Sequence, residues 1–332
     1  MNTSYGLNEL NFEKTIGGLG VENHQRQIPL IDLRAFDERR EEITEQLWQA
    51  ATNVGFFQLV NHGLTREDIQ AAFEASERFF AQSQEEKAHY ALKDGLNVGW
   101  EFKAQVRPST GTPDQKESYQ ITLPHMTDLW PSQVAVPEFQ RIMLSFEYQA
   151  WRLGMRVLSC FANKLGFVED FFTQAHDRTS QEYQSTLRLL HYLPLENVEK
   201  QSGLWRAGAH TDFDCLTMVF QKTGQGGLQV CPGKEAKEAN RQEWSNVEPE
   251  EGIITCNIGD MLMRWSDDKL QSTLHRVRMP TAKEANHSRY SMAFFCQANK
   301  DQLIQGPEGK YAPITARDYL LQRINANFTG KK

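Results

Sequence analysis

Apolar residues recur along this chain in two rhythms, and the change from one to the other divides it. Residues 28–33 (Ile-Pro-Leu-Ile-Asp-Leu) read as a short strand, after which Ile43, Leu47, Ala50, Ala51 and Val54 fall at helical spacing until Gly55. The aromatic and β-branched run 56–60 predicts a strand, closed by Asn61-His62-Gly63, whose residues tolerate turn geometry. Thr65 and Asp68 make a capping-box pattern ahead of a helix on which Ile69, Ala72, Phe73, Ser76 and Phe80 share a face. From about 93 to 131 the rhythm fades while Gly, Pro, Asp and Thr accumulate. That stretch predicts a long irregular segment of the kind that covers a binding site, with a strand in its middle over 117–123. A helical pattern over 137–165, carrying Ile142, Phe146, Leu153 and Val157 and stopped by Gly166, predicts a scaffold spine.

Beyond Ser185 the pattern becomes one of short strands between turn residues: 186–193, 215–221, 227–230, 252–257, 261–265 and 289–297. Such a series predicts a β-sandwich or barrel-like jelly roll, so the fold class is mixed α+β with a mainly β core. Gly226-Gly227 and Gly259-Asp260 are expected tight turns. The polar stretch 231–242 is expected to leave the sheet, and Tyr319, Leu320 and Ile324 predict a closing C-terminal helix. The expected organisation is a polar N-terminus over 1–27, an α/β scaffold over 28–180, a catalytic β core over 181–300, and a helix and tail over 301–332.

Composition narrows the partners. A net charge of -7 and a pI near 5.8 argue against a nucleic-acid partner, which normally selects a basic face, and leave a small molecule as the expected one. The apolar runs are too short to cross a bilayer and no charged-then-apolar leader opens the chain, so a cytoplasmic protein without membrane contact is expected. Five cysteines (Cys160, Cys215, Cys231, Cys256, Cys296) without C-x-x-C spacing fit neither a disulfide framework nor a zinc knuckle, and are expected in the core. Oligomeric state is not readable.

The chemistry gathers in the β-rich half. His210-Thr211-Asp212 sets an imidazole and a carboxylate two residues apart, and on a strand residues i and i+2 face the same way. A second imidazole, His275, follows in a segment able to return as a neighbouring strand, the spacing of a 2-His-1-carboxylate facial triad. Three protein ligands on one octahedral face leave three positions open, which suits ferrous iron, a bidentate 2-oxo acid and O2. Zinc hydrolysis uses the same ligand types and is the alternative. Arg289-Tyr290-Ser291 presents a guanidinium fork and a hydroxyl on one face, a pair suited to a distal carboxylate, and Tyr192 can add a phenolic hydrogen bond. Candidates for contact with substrate are Trp100, Arg107, Lys116, Glu117 and Phe213. His62, His191 and His287 are expected to be structural or solvated.

The order of these motifs resembles the isopenicillin N synthase-like branch of the 2-oxoglutarate/Fe(II) oxygenases. The likeness also takes in residues 28–33, Gly55 to Gly63, Lys116 to Tyr119, Gly227 to Val230, Asn257 to Asp260 and His275-Arg276-Val277, and so spans about Ile28 to Phe328. It implies a distorted double-stranded β-helix wrapped by N-terminal helices. It also implies Fe(II) on His210, Asp212 and His275, 2-oxoglutarate on Arg289, Ser291 and Tyr192, O2 as oxidant, and ascorbate as an optional reductant. The implied reaction is oxidation, chiefly hydroxylation, of a small organic molecule, with succinate and CO2 as co-products. An oxidase of the same fold that does not consume 2-oxoglutarate is the neighbouring possibility, and a non-catalytic binding protein a more distant one. The polar insert at 231–242 and the long connection from His275 to Arg289 depart from plant-type members, and they leave the prime substrate unassigned.

Overall fold

Local sequence accounts for most of the N-terminal elements. The computed structural model describes residues 21–23, 26–93, 95–106, 111–194, 204–231, 243–281, 283–284 and 287–328. After strands β1 (Val21–Glu22) and β2 (Leu30–Asp32), helix α1 (Arg40–Asn53) buries Ile43, Leu47, Ala50 and Ala51, and strand β3 (Phe56–Val60) follows. Helix α2 (Arg66–Phe80) opens on Thr65, whose hydroxyl oxygen accepts from the Asp68 backbone N–H at 3.1 Å, and α3 (Gln84–Ala88) opens on a complete Ser83–Glu86 capping box. Strands β4 (Gly99–Phe102) and β5 (Lys116–Ile121) come next. Helix α4 (Phe139–Leu165) then runs 27 residues to the left-handed Gly166, ahead of the short α5 (Phe171–Ala175).

The second half is built from β6 (Thr186–Tyr192), β7 (Ala207–His210), β8 (Leu216–Gln221), β9 (Leu228–Cys231), β10 (Glu243–Asn246) and β11 (Ile254–Ile258). Helix α6 (Asp260–Trp265) and strands β12 (Leu274–Val277) and β13 (Arg289–Cys296) complete the core. A small hairpin, β14 (Leu303–Ile304) with β15 (Ile314–Thr315), leads into α7 (Ala316–Phe328).

These strands form two facing sheets. The large one has the order β2-β3-β11-β8-β13-β6-β5-β4, and the small one β1-β10-β9-β12-β7. Between them Phe56, Leu190, Tyr192, Leu228, Val230 and Val277 make one apolar cluster. The main core lies on the other face of the large sheet, where α4 packs against α1, α2 and α5 and across β8 and β13. Fully burying a Leu or Phe side chain contributes about 1.5–3 kcal/mol, and α4 buries Phe146, Leu158 and Phe161 among others. Gly154 allows the close approach, since a Cβ there would stand 2.5 Å from Cys296 Sγ on β13.

Several expectations are corrected. Residues 261–265 form a helix, because a short apolar run has no period that separates strand from helix, and Gly259 is its N-cap instead of a hairpin turn. The segment 93–131 is not irregular throughout, for it holds β4 and β5, which extend the large sheet. The strand expected in its middle is β5, whose Tyr119 and Ile121 join the main core while Ser118 and Gln120 face the other way; β4 is the addition. Strand β1 has two residues, and β7 (Ala-Gly-Ala-His) and β10 (Glu-Trp-Ser-Asn) lack the β-branched residue that marks β9, so none registers as a run. Cys231 ends β9, and the remainder of the expected excursion lies outside the described residues. The cysteines are free and buried, all five of them.

Candidate metal and 2-oxo acid site

The metal candidates converge where the two sheets meet. His210 ends β7 and His275 lies on β12, and the two are directly opposite in the antiparallel pairing, with ring centroids 4.3 Å apart. Asp212 is beyond the end of β7, so its approach comes from the connection to β8 and not from strand alternation. Its Oδ1 lies 3.8 Å from His210 Nε2 and 3.6 Å from His275 Nε2. One ligating atom from each residue falls within 4.8 Å of the others, a donor set of two nitrogens and one oxygen that fits a ferrous ion.

Second contacts fix which atoms are presented. His210 Nδ1 lies 2.7 Å from the Gly208 carbonyl and His275 Nδ1 3.3 Å from the Thr273 carbonyl. A carbonyl only accepts, so the Nδ1 atoms donate and the Nε2 lone pairs face Asp212. Asp212 Oδ2 accepts from Thr217 Oγ1 at 2.6 Å and Asn257 Nδ2 at 2.8 Å, which leaves Oδ1 to the metal position. Thr217 and Asn257 are partners across β8 and β11, so the large sheet grips the carboxylate while the small sheet carries both imidazoles. Asp214, fully buried beside Thr217, has its carboxyl pushed well above the usual range, first by burial and then by the Asp212 charge. Phe56 meets the His275 ring edge-on at 5.7 Å.

The connection carrying Asp212 is tied to both flanking helices. The Asp260 backbone N–H on α6 donates to the Asp212 carbonyl at 2.8 Å, and Thr211 Oγ1 donates to Asp260 Oδ2 at 2.8 Å. Arg323 of α7, 0 % exposed, donates to Thr211 Oγ1 at 3.1 Å and pairs with Asp260. A side chain at Gly259 would collide with the Asp214 carbonyl at 2.2 Å, so glycine is what lets α6 approach.

Arg289 and Ser291 share the inward face of β13, with Arg289 Nη1 3.3 Å from Ser291 Oγ. Arg289 is 2 % exposed; its Nε donates to the Gln225 and Gly226 carbonyls and its Nη2 to Gln221 Oε1. Its guanidinium lies 4.6 Å from the Tyr192 ring centroid, so all three members of the expected acid-binding group are together. Burial lowers the Arg289 pKa, with Tyr192 opposing. A second buried guanidinium, Arg206, has its pKa pushed down to about 10 by burial and then by Arg289. The pair lines a cavity of about 400 Å³ with Gln225, Gly226 and His287 among its walls, a concentration of positive charge matched to an anionic ligand.

The substrate candidates separate. Lys116 and Glu117 are neighbours on β5 and face opposite ways. Lys116 shares the inward face with Tyr192 and pairs with Asp114, whose Oδ1 accepts from the Gly208 N–H on β7. Glu117 faces the helices, where Lys87, His191 Nδ1 and Trp100 Nε1 all bond to it. Trp100 is on that side as well, packed against the main core. Phe213 lies under the Arg323 guanidinium at 4.6 Å, turned towards α7. Arg107 lies outside the described residues. His62 is structural: it is buried, its Nδ1 accepts from the Leu64 N–H, and burial lowers its pKa. Sequence reasoning passes over Arg206, Thr217, Asn257 and Arg323. Only Asn257 lies in a recognisable motif, and the others are single polar residues without a local signal.

Comparison with known proteins assigns the chain to a family. Residues 28–134 match the family described as non-haem dioxygenase in morphine synthesis N-terminal, and 183–298 the 2OG-Fe(II) oxygenase superfamily. The chain is 30% identical over 322 residues to the 2-oxoglutarate-Fe(II) type oxidoreductase hxnY of Emericella nidulans, covering 87% of each chain. It is 31% identical over 316 residues to the UPF0676 protein C1494.01 of Schizosaccharomyces pombe, covering 91% of this chain and 93% of that one. Among solved structures, a full-length Neurospora crassa protein in complex with alpha-KG and thymine superposes with a TM-score of 0.80 at 28% identity, covering 93% of this chain and 100% of that one. With a double-stranded β-helix that carries two histidines and an aspartate between its sheets, the chain belongs to the 2-oxoglutarate/Fe(II) oxygenase superfamily and is a dioxygenase, an oxidoreductase using Fe(II), 2-oxoglutarate and O2.

Proposed function

We propose that the chain hydroxylates a small organic molecule, with Fe(II) held by His210, Asp212 and His275 and the distal carboxylate of 2-oxoglutarate held by Arg289, Ser291 and Tyr192. The observation that carries the reading is the convergence of His210 Nε2, His275 Nε2 and Asp212 Oδ1, each aimed by a separate hydrogen bond at its far side. When bound, iron and 2-oxoglutarate supply the oxidising power: one atom of O2 enters the substrate and the other enters succinate as CO2 leaves. The protein's part is placement. Thr217 and Asn257 keep one oxygen of Asp212 occupied so that the other serves the metal. Arg289, fixed at Nε and Nη2, directs the rest of its fork along the sheet interior and sets the angle of the bound acid. The apolar cluster between the sheets, with Phe56 against His275, keeps water from the imidazoles.

The thymine complex of the Neurospora crassa protein is in keeping with a small-molecule substrate here. Assignment to the isopenicillin N synthase-like branch and to the cytoplasm rests on the motif order and on composition; among the described residues no helix is long and apolar enough to cross a membrane. Anaerobic addition of Fe(II) and 2-oxoglutarate should produce a weak visible charge-transfer band, and folded, metal-loaded protein without it would count against the proposal. Arg289→Leu should raise the 2-oxoglutarate requirement at least ~30-fold, the equivalent of about 2 kcal/mol, with iron binding retained. An unchanged requirement would remove Arg289 from the role.

A further inference from the structure

The inward face of β4 and β5 carries a polar cluster that neither iron nor 2-oxoglutarate uses. Glu101 on β4 pairs in register with Ser118 on β5, and Gln120 lies two residues further along the same face. Glu101 Oε1 accepts from Gln105 Nε2 at 2.6 Å, Ser118 Oγ at 2.7 Å and Gln120 Nε2 at 2.9 Å. Glu101, Ser118 and Gln120 are 8 %, 0 % and 1 % exposed. The carboxylate settles how the Gln120 amide is turned, because reversed it would set oxygen against oxygen. Gln120 Oε1 is therefore directed away from Glu101 Oε1, and this buried oxygen has no hydrogen-bond partner. Glu101 Oε2 receives no donor from any described residue, and no cationic side chain among them pairs with Glu101. The nearby lysines are engaged elsewhere, Lys116 with Asp114, Lys87 with Glu117 on the opposite face, and Lys103 over the Phe102 ring at 5.6 Å.

The Glu101 carboxylate has no counterion among the described residues and its Oε2 reaches solvent, while the Gln120 oxygen beside it is enclosed without a donor, so a ligand entering there can complete both. Both open atoms are acceptors, so the missing group donates hydrogen bonds and carries positive charge. We propose that Glu101 and Gln120 form the recognition site for a protonated amine on the prime substrate. This rests on the dioxygenase reading, which makes the space between the sheets the substrate chamber. Gln120 pairs with Arg188, Arg188 with Ala293, and Ala293 with Val219, two residues from the Thr217 that holds Asp212. Three strand spacings separate Gln120 from Val219, about 14 Å along the sheet. The amine thus binds at one end of an elongated molecule whose oxidised carbon lies at the other. Between them Arg188 is drawn aside, bonded to Asn97 Oδ1 and lying 5.1 Å from the Phe295 ring centroid.

The test is calorimetry on protein loaded with Mn(II) and 2-oxoglutarate, titrated with primary amines and the alcohols of the same skeletons, from benzylamine and benzyl alcohol to longer phenylalkyl pairs. At least one amine is expected to bind about tenfold or more tighter than its alcohol. Glu101→Gln, which keeps an oxygen for the three donors and puts an N–H at the open position, should abolish that preference without changing 2-oxoglutarate affinity. Amines no tighter than alcohols at every skeleton, or a preference that survives in Glu101→Gln, would overturn the proposal. Without added amine, Glu101→Gln should melt at the wild-type temperature or above; a fall of more than about 5 °C would assign the cluster to the fold and overturn it equally. Failure of 2-oxoglutarate itself to bind would instead strike the dioxygenase reading.

Discussion

At the metal position the decisive choices are made atom by atom. Each imidazole could present either nitrogen, and a single backbone carbonyl, Gly208 or Thr273, selects Nε2. Asp212 could present either oxygen, and Thr217 with Asn257 selects Oδ1. Supporting contacts of this kind typically govern metal affinity by roughly 10- to 100-fold. Thr217→Val removes the shorter of the two bonds to Asp212 and should weaken Fe(II) binding by about tenfold or more, read by competition with a chromogenic chelator. Affinity equal to wild type would mean that Asn257 alone orients the carboxylate. The proposed ligands themselves are legible, since H-x-D and a later His are unusual residues in a recognisable order. Thr217 is not, because a threonine on a strand looks the same whether it faces water or a carboxylate.

At the scale of elements, the connection from β7 to β8 is clamped between two helices that differ in how readable they are. Helix α7 follows from Tyr319, Leu320 and Ile324, whereas α6 reads as a strand until its packing is known. Together they bury the Arg323–Asp260 pair, which reaches Thr211 between the two proposed ligands His210 and Asp212. Breaking a buried ion pair from one side leaves the partner charge uncompensated and costs about 3–5 kcal/mol. Arg323→Met should therefore lower the urea midpoint by that equivalent and weaken metal binding along with it. Lost stability with metal affinity intact would confine the clamp to folding. Strand β5 shows the converse limit: the strand is expected from the sequence and its alternation is real, with Tyr119 and Ile121 in the main core, but that Lys116 and Glu117 are both buried and ion-paired on opposite faces is decided only by packing.

Over the whole molecule, the helical layer and the β core are joined through buried polar groups as well as apolar ones. His176, at the end of α5, is 0 % exposed, with Nδ1 2.7 Å from the Phe172 carbonyl, and burial lowers its pKa to about 4. The unfolded chain, with an ordinary histidine near ~6.5, binds the proton more readily between those values. Stability from this group is therefore complete above pH ~6.5 and is lost as the pH falls towards ~4, by about 3 kcal/mol in all. Denaturant titrations from about pH 7.5 to about 4.5 should show the decline, and His176→Gln should flatten it; an equal slope in the variant would assign the acid sensitivity elsewhere. The linear chain already encodes the succession of helices and short strands, the proposed ligand residues and the Arg289–Ser291 pair, because periodicity and motif order are local and survive in the unfolded state. Three outcomes needed the folded molecule: that Asp212 arrives from a turn, that the carboxylate and the imidazoles are held by opposite sheets, and that Glu101 and Gln120 meet with two acceptors open. Each depends on partners distant along the chain, and a polar residue's identity says nothing of whether folding will bring it a partner or leave it waiting for one.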